Sequence, residues 1–423
     1  MSAKSFGIVI VCAVGLLLAA NNEPSYRGRI FNANSAQPIE GATVTLGAAV
    51  VNSDSSGAFI IAGTGAQLAA RAHGYQRARI DLPTANGREL SVHLKPFAPK
   101  ALYLSFYGIG DRLLRQSALR VIDATELNAL VIDVKGDRGG IPYKGTVPLS
   151  VLVGAQQIIT VSDIEGLLKS FREKGIYTIG RIVVFKDNPL ASARRDLAVK
   201  RSDGTLWRDR EGSAWTDPFN REVWEYNLAI AEEAARYGVD EIQFDYLRFP
   251  DERRLAFSLP NTQENRVRTI TEFLRTARTQ LARYNVFIAA DLFGYVCWNA
   301  DDTGIGQTLD AVKPHLDYLS PMLYPSGFQF GIPGCTAPVA HPYEIVYRSL
   351  TRAKERTGLA PVRFRPWLQA FRDYAFDRRN YGAKEIMEQI KAAEDFGSNG
   401  WMLWNPRNEY SAEGLRRSGS DQK

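Results

Sequence analysis

The sequence predicts an α/β chain, a (β/α)8 barrel preceded by a small all-β sandwich. Three observations lead there. From Lys100 onward, eight apolar runs of strand type alternate with seven helical stretches. Across residues 26–96, short β-type runs follow one another with no helix between them. No Gly-rich phosphate turn follows any strand, and eight units are many for a doubly wound open sheet.

The expected domain limits are 1–22 for a signal peptide or N-terminal anchor, 23–97 for the sandwich and 98–423 for the barrel. Met1–Ala20 has one lysine, an apolar run from Phe6 to Leu18 and small residues before Asn-Asn-Glu-Pro. That is the shape of a signal peptide, and the run is short for a span of about 20 residues. Cys12 lies inside the run rather than at its exit, which argues against a lipoprotein site. An exported body, periplasmic or extracellular, is the expectation. Membrane contact is expected only through an uncleaved N-terminal segment.

The charge of the 423-residue chain, +6, is spread thinly. With no dense Lys/Arg block and no nucleic-acid motif, no nucleic-acid partner is expected. Cys297 and Cys335 remain once Cys12 is set aside, and spacing alone leaves open whether they pair. Four histidines without clustered spacing argue against a His-rich metal site.

The sandwich strands are expected at Tyr26–Phe31, Ala42–Leu46, Ala58–Ile61, Leu68–Ala72, Arg77–Leu82 and Leu90–Leu94, with Gly, Pro, Asn, Asp and Ser between them. His73 and His93 are expected at its surface or edge. Gly28-Arg-Ile30, Pro38-Ile-Glu-Gly-Ala-Thr-Val44, Asp54-Ser-Ser-Gly-Ala-Phe59 and Ala72-His-Gly-Tyr75, in that order, resemble the carboxypeptidase regulatory-like domain. The resemblance implies a prealbumin-like sandwich serving as a rigid accessory module.

Barrel strands are expected at Ala101–Tyr107, Ala129–Val134, Tyr177–Val184, Glu241–Tyr246, Val286–Phe293, Tyr318–Tyr324, Val362–Gln369 and Gly400–Trp404. Helices are expected at 111–126, 161–174, 222–237, 262–283, 304–313, 342–357 and 383–396. The run Glu241-Ile-Gln-Phe-Asp-Tyr-Leu-Arg-Phe-Pro250 is the centre of the argument. By the period of two, Ile242, Phe244 and Tyr246 share one face, with Gln243 and Asp245 on the other. A carboxylate on an inner barrel face costs stability unless something pairs or uses it.

A barrel of this kind builds its site at the C-terminal ends of its strands. There the sequence places Tyr107, Asp133, Lys135, Arg181, Asp245, Arg248, Asp291, Tyr324, Trp367, Gln369, Trp404 and Asn405. Carboxylates, amides and flat rings converging on one mouth suit a neutral polyhydroxylated ligand. Glycoside hydrolysis needs two carboxyl groups flanking the scissile bond. Asp245 is the expected nucleophile, kept ionised by nearby Arg248. Asp291, flanked by Ala289, Ala290 and Phe293, is the expected acid/base. The other ten residues are expected to bind substrate, although an ion pair with Lys135 competes for Asp133. The segment Lys186–Asn220 exceeds an ordinary connection and carries Trp207 and Trp215. It reads equally as a binding wall and as a packed surface excursion. Pro325–His341 is a second wall candidate.

The motifs Leu130-Val-Ile-Asp-Val-Lys-Gly-Asp137, Trp215-Thr-Asp-Pro-Phe-Asn220 with Glu222-Val-Trp-Glu-Tyr226, Ile242–Pro250, Ala290-Asp-Leu-Phe-Gly294, Ser320-Pro-Met-Leu-Tyr-Pro325 and Gly400-Trp-Met-Leu-Trp-Asn405 together resemble the "putative glycosyl hydrolase domain" family, similar to the α-amylase-like barrels. The resemblance spans about residues 101–410. It implies a barrel acting on carbohydrate, with its strand-four nucleophile position falling on Asp245. Amylase-like barrels usually carry a Glu after strand five, where this chain has Asp291. Their further Asp after strand seven has no counterpart beside Trp367 and Gln369.

Two functional classes stand side by side. One is an exported glycoside hydrolase cutting O-glycosidic bonds of an oligo- or polysaccharide, with no cofactor expected. The other is a non-catalytic polysaccharide-binding barrel with the same aromatic mouth. A metal-dependent deacetylase is disfavoured by the absence of spaced His and Asp ligands.

Overall fold

The computed structural model describes residues 24–82 and 89–419. The segment read as a signal peptide or anchor therefore lies outside the described residues. Among the described residues, no helix is long and apolar enough to cross a membrane.

Eight parallel strands close into a barrel: β1 Lys100–Leu104, β2 Ala129–Lys135, β3 Tyr177–Val183, β4 Glu241–Asp245, β5 Phe287–Phe293, β6 Tyr318–Met322, β7 Trp367–Gln369 and β8 Trp401–Trp404, with β8 returning to pair with β1. The strand order is the chain order, as the alternation predicts. Strands β2, β3 and β4 are buried along their whole length, because the barrel interior covers one face and helices the other.

Helix ends follow local chemistry. Asp111 caps Arg112–Ala124 by accepting from the Leu113 and Leu114 amides. Asn220 caps Arg221–Tyr237, and Gly238, at φ 104°, ends it. The helical stretch expected at 304–313 shrinks to Leu309–Val312. Gly304 and Gly306 hold positive φ there, and Asp302 accepts from both of their amides, so the chain turns instead of winding. Strand seven starts at Trp367 rather than Val362, because Pro361–Arg363 forms a 3-10 turn and Pro366 has no amide for the ladder. Strand one ends at Leu104, since Ser105 caps the short helix Phe106–Gly110.

The N-terminal unit is a sandwich. One sheet holds Ala58–Ala62, Ser25–Asn32 and Leu90–Leu94. The other holds Ala49–Asn52, Thr43–Leu46, Gln67–Arg71 and Ala78–Asp81. Ile30, Val44, Phe59, Leu68 and Val92 fill the space between. Ala49–Asn52 was not expected as a strand. It is the return arm of a hairpin that turns at Gly47, where φ is 57° and a Cβ would meet the Thr64 carbonyl at 2.6 Å.

The sandwich seats on the bottom of the barrel, where β4, β5 and β6 begin. Arg77 Nη2 donates to Asp240 at 2.7 Å, Arg71 Nη1 to Asn285 at 3.3 Å and the Gly74 amide to the Tyr318 hydroxyl at 3.0 Å. His73 Nε2 lies 3.3 Å from Asp317 Oδ1. His73 is therefore half-buried between the two units rather than at a free surface, whereas His93 is exposed. The sandwich thus covers the end opposite the mouth.

Candidate active site

At the mouth, one guanidinium organises three carboxylates. Arg181, in the middle of β3, is fully buried. Its Nη1 reaches Asp133 Oδ1 at 2.7 Å. Its Nη2 reaches Asp137 Oδ1 at 2.6 Å and Asp245 Oδ2 at 2.5 Å, and its Nε also reaches Asp245 Oδ2, at 2.9 Å. The β2–β3 register sets Asp133 directly beside Arg181, and the β3–β4 register carries the cluster on to Asp245. Asp133 is further held by the Tyr103 hydroxyl and the Phe106 amide, both at 2.9 Å. Burial, reinforced by the charge of Asp137, pushes Asp133 up to about 6 against the pull of Arg181. For Asp137 burial is outweighed by Arg181, and the net shift is downward.

Asp245 ends β4. Its Oδ1 accepts from the Tyr246 amide at 2.6 Å, a bond made possible by the left-handed backbone of Tyr246 at φ 47°. A non-glycine residue in that conformation stores strain, and such strain concentrates at sites. With two bonds on Oδ2 and one on Oδ1, Asp245 keeps a lone pair on Oδ1 for another partner.

Asp291 lies on the neighbouring strand β5, and Trp367 Nε1 donates to its Oδ1 at 2.7 Å. Burial first, and the nearby Asp245 charge second, push its carboxyl well above the usual range. Like charges in one dry site cannot both ionise cheaply, which is why the Asp245 charge adds to the upward shift of Asp291. The Tyr324 hydroxyl is driven up by burial and by the charges of Asp291 and Asp245, and it stays a neutral donor beside them.

These groups open into a cavity of about 1040 Å³ lined by Arg181, Asp245, Arg248, Asp291, Tyr324, Trp367, Trp404 and Asn405, all expected from sequence. Trp404 is its flat floor, stacked on Tyr103 at 4.0 Å and carrying the Arg181 guanidinium 5.0 Å from its centre. Among the described residues no cluster of His, Cys, Asp and Glu is arranged to hold a metal ion.

Four expected binding residues lie elsewhere. Lys135 is fully buried and donates to Asp187 Oδ2 at 2.6 Å, with the Tyr226 ring 5.1 Å away. The β2–β3 register slips between Arg181 and Ile182, so Val134 is passed over and Lys135 does not follow Asp133 into the mouth. Asp133 sits behind Arg181 and does not line the cavity. Gln369 is fully buried, bonding the Ser326 amide and hydroxyl. Tyr107 is 62% exposed on the helix after β1 and does not line the cavity. The counter-charge of Asp245 is also corrected: it is Arg181, while Arg248 bonds the Phe249 carbonyl and lies over the Trp215 and Tyr246 rings.

The mouth contains residues that received no role from sequence. Asp137 was visible at the end of the Asp133–Asp137 run. Glu211 carried no signal. It comes from the Lys186–Asn220 segment and accepts from buried Lys186 at 2.6 Å. That segment answers both descriptions given above. Trp207 and Trp215 pack together at 6.1 Å as its core, and Glu211 faces the cavity as a wall. Gly327 and Phe328 bring the Pro325–His341 loop to the opposite side. Cys297 and Cys335 are both buried and free.

The family model described as "putative glycosyl hydrolase domain" matches residues 101–410, the entire barrel and every residue of this cluster. The chain belongs to that family. No curated protein matches it. Among solved structures, a hypothetical protein from Ruminiclostridium thermocellum ATCC 27405 is 38% identical over 45% of this chain and 96% of that one, with a TM-score of 0.41. The glycoside hydrolase domain of PgaB (BpsB) from Bordetella bronchiseptica is 14% identical, covering 76% of this chain and 99% of that one, at a TM-score of 0.51. A GH18 chitinase from Pseudoalteromonas aurantia is 12% identical over 74% and 97%, at 0.45. At such identities the likeness to PgaB is one of fold. In this member of the putative glycosyl hydrolase domain family, the chemistry must be argued from the cluster itself.

Proposed function

We propose that the barrel is an exported glycoside hydrolase that cuts O-glycosidic bonds of an oligo- or polysaccharide, with Asp291 as acid/base and Asp245 as nucleophile. The observation that carries the reading is the contrast between two neighbouring carboxyls. Asp291 is buried beside Asp245, and burial with that neighbouring charge raises its carboxyl well above the usual range. Asp245 is salt-bridged to Arg181 and keeps one Oδ1 lone pair open. A carboxyl biased toward its protonated form beside an ion-paired carboxylate is the pairing that acid–nucleophile chemistry requires.

In the first step, Asp291 gives its proton to the glycosidic oxygen as the bond from that oxygen to the anomeric carbon breaks. The leaving sugar departs as an alcohol, and Asp245 Oδ1 bonds the anomeric carbon. In the second step, water attacks that carbon and the bond to Asp245 breaks. Asp291, now a carboxylate, takes the water's proton and is restored. The Trp404 floor offers a face for a sugar ring to stack on. No cofactor enters either step.

The motif resemblance supports kinship with α-amylase-like barrels, with Asp291 standing where those enzymes carry Glu. The N-terminal sandwich acts in this reading as a rigid carboxypeptidase regulatory-like module bracing the barrel floor. The test is hydrolysis of a panel of bacterial and plant polysaccharides by wild type, Asp245→Asn and Asp291→Asn, with binding followed in parallel. Loss of turnover by at least about 10²-fold with binding retained supports the assignment. Equal binding by all three proteins with no cleavage would make the barrel a polysaccharide receptor.

A further inference from the structure

A second cavity, of about 790 Å³, adjoins the mouth and shares Glu211, Tyr246 and Arg248 with it. Its walls are the Lys186–Asn220 segment and the chain that follows β4. A two-stranded ribbon, Lys200–Arg201 against Leu255–Ala256, ties those walls together. The space is therefore a built continuation of the mouth.

Its charges are unequally engaged. Asp209 and Glu211 are held by Lys186, at 3.6 and 2.6 Å. Asp203 accepts from the amide and hydroxyl of Thr205, at 2.9 and 2.6 Å. Glu252 accepts from the neighbouring Arg253 amide. By contrast, Arg201, Arg210, Arg248, Arg253 and Arg254 line the same space and form no ion pair with a carboxylate among the described residues. Hydrogen bonds from neutral groups leave the carboxylate charges in place, but seven basic side chains line the groove against five carboxylates, Asp251 among them, a net charge of +2, so the field in the groove is positive. A cleft with one predominant sign of available charge concentrates ligands of the other sign. Guanidinium also presents a planar fork that matches carboxylate and sulfate oxygens.

We propose that this groove is a binding subsite for the anionic substituents of an acidic polysaccharide, and that the chain runs from it across Tyr246 and Arg248 into the mouth. The proposal rests on the glycoside hydrolase reading for its sugar and deepens it by naming the substrate class. A neutral glycan fills the mouth alone, whereas an acidic one also engages the arginines of the groove. Because the two cavities share Glu211, Tyr246 and Arg248 in their walls, one glycan chain can engage both.

The test uses the full chain and matched polymers. Polygalacturonate is compared with its methyl ester for carboxylates, and dextran sulfate with dextran for sulfate esters. Binding is measured at low and high salt for wild type and for the triple variant Arg201→Gln/Arg210→Gln/Arg253→Gln, three exposed positions. An unchanged melting temperature verifies its fold. The expected result is that wild type binds the charged member of at least one pair about tenfold or more tighter than the neutral one. That preference is lost at high salt and in the triple variant. A preference confined to one pair names the anionic group. Equal binding within both pairs, or a preference that survives the triple variant, overturns the proposal. Charge-selective binding without turnover keeps the groove and removes the hydrolase. Turnover of neutral glycans with no charge preference does the reverse.

Discussion

Trp367 Nε1 donates to Asp291 Oδ1 at 2.7 Å, joining β7 to β5 across the barrel mouth. This bond favours the ionised carboxyl, and burial with the Asp245 charge overrides it. Trp367→Phe removes the donor and keeps a ring in place. The Asp291 carboxyl should then rise further. Since the protonated form is the acid, the alkaline limb of the kcat/KM profile should move to higher pH. A net hydrogen bond of about 1 kcal/mol corresponds to a displacement of somewhat less than one pH unit. A limb that stays in place would assign it to another group.

Asp291 also predicts a trade between stability and activity. Its folded pKa is raised above the ordinary value of 3.8. A carboxyl shifted in that direction contributes its full stability below the unfolded value and loses it as pH rises toward the folded one. Asparagine cannot ionise and still accepts from Trp367. Asp291→Asn should therefore match wild type in melting temperature under acid conditions and exceed it increasingly toward neutral pH. Thermal scans across pH check this, and a variant melting below wild type at pH 7 would contradict it.

Among the described residues, Arg181 is the ion-pair partner shared by Asp133, Asp137 and Asp245. Arg181→Met should cost about 3–5 kcal/mol, the scale for stranding buried charge. The loss should shrink at low pH. Asp137, whose folded pKa is depressed, contributes its pairing above 3.8 and loses it as pH falls. Arg181→Lys should recover little, because a point charge cannot reach three carboxylates with a fork of donors. Denaturant titrations of the three proteins at pH 4 and 7 measure both effects.

Asp317 ties the sandwich to the barrel. Burial alone would raise its carboxyl, yet the His73 bond and the Arg71 and Arg278 charges hold it well below the usual range. That stabilisation is present above the ordinary carboxylate pKa and fades as pH falls below it. Asp317→Asn should weaken the seating of the sandwich and split a single calorimetric transition into two. A single transition at unchanged temperature would show that the two units are held together by other contacts.

The helices show where sequence reasoning holds. Arg221–Tyr237 and Pro342–Thr357 fall almost where the helical stretches 222–237 and 342–357 are expected. The same local rules misplace Lys135, because parity assumes an unbroken strand and a one-residue slip at Val134 turns the side chain to another face. They also assign Asp245 to Arg248, three residues away in sequence, although Arg181 on the adjacent strand holds it.

The sequence alone determines the alternation of strand and helix, the order of the strands and hence the end of the barrel where polar groups gather. These follow from periodicity and capping, which act over a few residues. Only the tertiary structure decides which carboxylates share Arg181, that burial and Asp245 push the Asp291 carboxyl upward, and that Glu211 and the groove arginines stand beside the mouth. Those outcomes depend on charges brought together from distant parts of the chain and on the removal of water around them, and neither is encoded in local spacing.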